Sequence, residues 1–66
     1  MIHIKSVEVK AVLFWRDVDN HRISGSVEYT GHGTLEDFKE ELENDGLEIT
    51  AIDYYLENDE ILRVYY

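Results

Sequence analysis

From Val7 to Trp15 the odd positions Val7, Val9, Ala11, Leu13 and Trp15 are all apolar, while the even ones begin polar with Glu8 and Lys10 and turn apolar at Val12 and Phe14. A period of two marks a strand, because successive side chains leave opposite faces. Ile2 and Ile4 stand on the other phase, so the pattern predicts a strand that starts near Ser6 or, the favoured reading, a bulge there that switches the face turned to the core. Arg16-Asp17-Val18-Asp19-Asn20-His21 has the Asp and Asn density of a turn, after which Ile23, Gly25, Val27 and Tyr29 alternate with polar neighbours. Residues 1–30 read as one long hairpin.

Gly31-His32-Gly33 breaks the chain. Thr34 followed by Asp37 resembles a capping box in a shorter-acid form, with Glu36 and Asp37 favourably placed in the first helical turn. Leu35, Phe38 and Leu42 fall on one helical stripe, and Asn44-Asp45-Gly46 supplies a glycine stop. The helix is therefore placed at 34–45, cap included. From Leu47 the branched and aromatic content returns, Glu57 to Glu60 forms a turn, and Ile61 to Tyr66 is a last strand, giving a second hairpin over 47–66. The prediction is an α+β fold of order ββαββ, a single domain in which one helix packs on one face of an antiparallel sheet. There is no proline, repeat or low-complexity run to suggest a second unit.

Charge changes this picture from a fold into a surface. Residues 34–60 hold eleven acids against Lys39 alone, whereas residues 1–33 balance four acids with four bases; the chain total is −9. Such segregation suggests a preference for a basic partner, which a uniform acidic excess does not. With Leu35, Phe38 and Leu42 turned to the sheet, Glu36, Asp37, Glu40, Glu41 and Glu43 point outward. Glu36 with Glu40, and Asp37 with Glu41, are like-charge pairs at i, i+4 that cost an isolated helix a few tenths of a kcal/mol each, and Lys39 can relieve only Glu36 and Glu43. An array of carboxylates on a rigid rod can dock where a phosphate backbone is meant to go. The plain alternative is a solvated, solubilising face.

One helix covers one sheet face, yet both phases of the last two strands are apolar: Ile52, Tyr54 and Leu56 oppose Ala51 and Tyr55, and Leu62, Val64 and Tyr66 oppose Ile61 and Tyr65. Either a second copy or a partner covers the other face, or the tyrosines stand exposed. Tyr54, Tyr55, Tyr65 and Tyr66 are accordingly candidate aromatic anchors, and the C-terminal strands a candidate homodimer interface.

Other chemistry fares less well. At 66 residues the chain hides only about 60% of its unfolded surface and has little room for a catalytic pocket. Ser24 and Ser26 lie on a strand with no nucleophile elbow around them. The Asp17–His21 and Glu57–Glu60 clusters miss the ligand spacing of a calcium loop, and without cysteine neither a disulfide nor a zinc–thiolate site is available. Glu36 and Asp37 at the helix start would repel a phosphate from the Gly31–Gly33 loop. Lys5, Lys10, Arg16 and Arg22 make at most a modest basic strip beside a segment of −10, which argues against direct nucleic-acid contact. No catalytic, cofactor or metal residue is expected. The alternating N-terminal residues and the absence of a long apolar run predict a soluble, cytoplasmic protein.

No family motif is matched. In size and charge alone the chain resembles the tiny acidic proteins with which phages and mobile elements block host nucleases, glycosylases, restriction systems or CRISPR effectors. That resemblance implies a non-enzymatic inhibitor or nucleic-acid mimic that docks on a basic, nucleic-acid-handling protein through Glu36, Asp37, Glu40, Glu41 and Glu43. The alternative is an assembly module that dimerises through its C-terminal strands.

Overall fold

The computed structural model describes residues 8–66. Within these residues four strands and one helix follow in the order expected: β1 (Ala11–Asp17), β2 (Ser24–Tyr29), α1 (Leu35–Asn44), β3 (Leu47–Tyr55) and β4 (Ile61–Tyr65). All strand pairs are antiparallel, and the sheet order is β2-β1-β3-β4. The two hairpins thus join through their first strands, which puts β1 and β3 in the middle and, among the described residues, leaves β2 and β4 as edges.

The local signals act as their chemistry dictates. Thr34 is extended and its hydroxyl accepts the Asp37 N–H at 3.1 Å, which caps α1. At the other end the Asp45 N–H reaches the Glu41 and Leu42 carbonyls, and Gly46 turns the chain at φ 84°, a left-handed conformation that suits glycine. In the first hairpin Arg16 and Asp17, read as turn, belong instead to β1. The turn is built just beyond them, with the Asp17 carboxylate accepting the N–H groups of Asp19 and Asn20 at 2.8 and 3.0 Å.

The bulge expected near Ser6 lies outside the described residues. A different one sits at the centre of the sheet: Phe14 pairs with Ala51 but Trp15 pairs with Ile49, so Thr50 is the extra residue. Its hydroxyl donates to the Phe14 carbonyl at 3.3 Å. The bulge has a packing consequence, since Ile49 and Ile52, which a regular strand would send to opposite faces, both turn toward the helix.

Leu13 and Ile52 are fully buried and pair directly across β1 and β3, with Ala11 beside them. Leu35, Phe38 and Leu42 of α1 pack onto this pair together with Val27, Tyr29, Ile49 and Tyr54, as the helical stripe predicts. Phe38 meets Tyr29 at 5.6 Å between ring centres. Trp15 lies on Gly25 so closely that a β-carbon there would stand 2.7 Å from the indole. Among the described residues, no helix is long and apolar enough to cross a membrane.

Candidate functional site

Three surfaces carry the side chains singled out above: the outer side of α1, the open face of the sheet, and the β4 edge. On α1, Glu36, Asp37, Glu40, Glu41 and Glu43 are all exposed, and among the described residues none has an ion-pair partner. Lys39 was expected to relieve Glu36 and Glu43. The structure sends it elsewhere: its Nζ sits 4.6 Å from the centre of the Tyr66 ring, a cation–π contact that takes the helix's only base away from its acids. Topology then extends the acidic surface. α1 begins, and β3 hands over to β4, at the same end of the sheet, so Glu36 and Asp37 share that end with Glu57, Asp59 and Glu60. A hollow of about 650 Å³ opens there among Glu8, Lys10, Tyr55, Glu57, Asp59 and Glu60. Among the described residues no three acidic or histidine side chains converge as metal ligands would.

Two acids of the −10 segment are neutralised in place. On the open face Arg63 grips Asp53 in a two-pronged pair, Nε to Oδ1 at 2.6 Å and Nη2 to Oδ2 at 2.8 Å. Asp53 is only 7% exposed. The hydrogen bonds from Arg63 hold its carboxyl below the usual carboxylate range and raise the Arg63 pKa in return. Glu48 is held by its cross-strand neighbour Arg16, with His21 Nε2 at 3.5 Å. Neither pairing was foreseen. Counting outward from a Glu57–Glu60 turn would set Val64 against Asp53; the observed loop is one residue shorter, with the Leu56 N–H bonded to the Glu60 carbonyl, and that shift brings Arg63 opposite Asp53.

The four tyrosines divide between faces. Tyr54 is half-buried on the helix side and packs against the core. The Tyr66 side chain beside it, with burial and the Glu36 carboxylate as lesser causes, pushes its phenol up to about 12. Tyr54 thus belongs to the structural body, while Tyr66 is exposed at the margin of the same side. Tyr55 and Tyr65 stand on the open face with Ile61. There Phe14, Thr50, Ala51, Arg63 and Tyr65 line a shallow depression of about 280 Å³, and the Arg63 guanidinium lies 5.4 Å from the Phe14 ring and 6.0 Å from that of Tyr65.

Comparison of the chain with protein families, curated proteins and solved structures finds no match.

Proposed function

We propose that the protein is a non-enzymatic binding module that docks, as an inhibitor or nucleic-acid mimic, on the basic surface of a nucleic-acid-handling protein. The observation that carries this reading is the outer side of α1: five exposed carboxylates on a capped helix of ten residues, none of them in an ion pair among the described residues, with Lys39 turned to Tyr66. Neighbours at i, i+4 hold their β-carbons about 5–6 Å apart, so the negative charges repeat along a fixed line instead of waving on a loop. Glu57, Asp59 and Glu60 add negative charge at the end of the sheet where the helix starts. Basic sites built for phosphates bind such arrays largely through charge and release of counterions, which makes association fast and steeply dependent on salt.

The test is capture from cell extract with the wild-type chain beside a variant in which Glu36, Asp37, Glu40, Glu41 and Glu43 are all replaced by glutamine. The expected result is a basic nuclease, polymerase, repair or restriction protein held by wild type alone, released by rising salt and displaced by DNA. Equal capture by both chains, or an affinity unchanged between low and high ionic strength, would refute the reading.

A further inference from the structure

The two edges of the sheet differ in a way the acidic helix does not explain. On β2 the residues Ser24, Ser26 and Glu28 present a polar margin, which is how sheet edges are commonly kept from pairing with another chain. On β4 that protection is missing. Ile61, Leu62 and Tyr65 are 58%, 54% and 73% exposed, no proline, lysine or bulge interrupts the strand, and its one charge, Arg63, is tied to Asp53. The inner ladder shows which backbone groups are spent. The Tyr66 N–H bonds to Thr50 and the Glu60 carbonyl accepts from Leu56, so the even-numbered residues face β3. The N–H and C=O groups of Ile61, Arg63 and Tyr65 therefore point away from the sheet.

We propose that β4 pairs antiparallel with β4 of a second copy of this chain, centred on Val64. A two-fold pairing of like strands must match faces, which confines the centre to a residue paired with itself. Centring on Arg63 would set two guanidinium groups opposite one another. Centring on Val64 places Val64 against Val64 and Leu62 against Tyr66 on the helix side. On the open side it places Arg63 against Tyr65, the contact that Arg63 already makes within its own strand. The outward groups of Arg63 and Tyr65 then exchange about four backbone hydrogen bonds across the axis. Charge permits the union locally. The edge is neutral, and each acidic helix lies over its own β3, about three strand spacings or 14 Å from the other copy's β3. That separation exceeds the Debye length of about 8 Å at physiological ionic strength, so repulsion between two chains of −9 is largely screened there and grows as salt is removed.

Analytical ultracentrifugation of the full chain should show a dimer that tightens from low to high salt. Tyr65→Pro should abolish it, because proline removes an outward N–H and leaves the β3 ladder alone. The chain lacks cysteine, so single replacements report geometry directly: Val64→Cys should cross-link under mild oxidation, its β-carbons meeting about 4.5–5.5 Å apart, whereas Leu62→Cys should not, its two copies lying about 13 Å apart. A monomer at every concentration and salt overturns the proposal and leaves the edge to a strand of a different protein. A dimer that survives Tyr65→Pro, or cross-linking that does not favour Val64→Cys, overturns it equally.

Discussion

Replacing Glu40 by lysine should make the protein more stable while making it a worse ligand. Glu40 lies mid-helix and exposed, four residues after Glu36 and three before Glu43. The change abolishes the Glu36–Glu40 repulsion and creates an attraction in the better orientation, acid before base. Each half is worth about 0.2–0.5 kcal/mol, so the sum is about 0.4–1 kcal/mol. Helix propensity contributes almost nothing, since glutamate and lysine rank together. At about 4–8 °C per kcal/mol for a domain this small, Tm should rise by about 2–8 °C. Thermal melts of wild type and Glu40→Lys, followed by helical circular dichroism in about 10 mM and about 1 M salt, measure it directly. The gain should be present at low salt and largely gone at high salt, where the Debye length is about 3 Å. Glu40→Gln should show only the relief of repulsion. A Tm for Glu40→Lys that is unchanged or lower at low salt would refute the claim that α1 is held against its own charge.

Two further perturbations test the sheet. Gly25→Ala puts a methyl where only 2.7 Å separates it from the Trp15 indole, so the ring must move; a loss of about 1–3 kcal/mol and a shift in emission from the sole tryptophan are expected, and an unchanged melt and spectrum would count against that contact. Asp53 has its pKa lowered by Arg63, so the stabilisation from that pair is complete above the ordinary carboxylate pKa of about 3.9 and drains away as pH falls through the lower folded value. The urea midpoints of wild type and Asp53→Asn should therefore differ near neutrality and converge toward about pH 2; a constant gap over that range would contradict the ion pair.

What could be read from the sequence was whatever a few neighbouring residues decide. Thr34 with Asp37, the Leu35–Phe38–Leu42 stripe and Gly46 act through contacts within one helix, and each sits where its chemistry places it. The alternation along both hairpins likewise reflects the neighbouring backbone. The union of β1 with β3 depends on residues some forty positions apart, and nothing local distinguishes it from other ways of arranging two hairpins. The bulge at Thr50 escaped for the same reason, because it resolves a mismatch between Phe14–Ala51 and Trp15–Ile49 that exists only once those strands meet. The acidic surface was legible as a list of residues, not as a field. Asp53 and Glu48 were read as part of the excess, but strand pairing gives each an arginine, and Lys39 was read as relief for the helix before Tyr66 existed as a neighbour.

The helix and the β4 edge make opposite demands on the same charge. On the proposed function, carboxylates that would draw in a basic surface would also push two copies of the chain apart, so salt should loosen the first association and tighten the second. The glutamine replacement of Glu36, Asp37, Glu40, Glu41 and Glu43 separates them further: it should abolish partner capture yet strengthen self-association at low salt, because the edge keeps Ile61, Arg63, Val64 and Tyr65 intact. A basic partner seated on α1 neutralises the repulsion that those substitutions remove. Partner binding and β4 pairing should then favour one another, each raising the other's affinity by the same factor. The measurement is the dimer dissociation constant with and without saturating partner in low salt. A constant that the partner leaves unchanged would show that the two surfaces, although on one small body, are electrostatically independent.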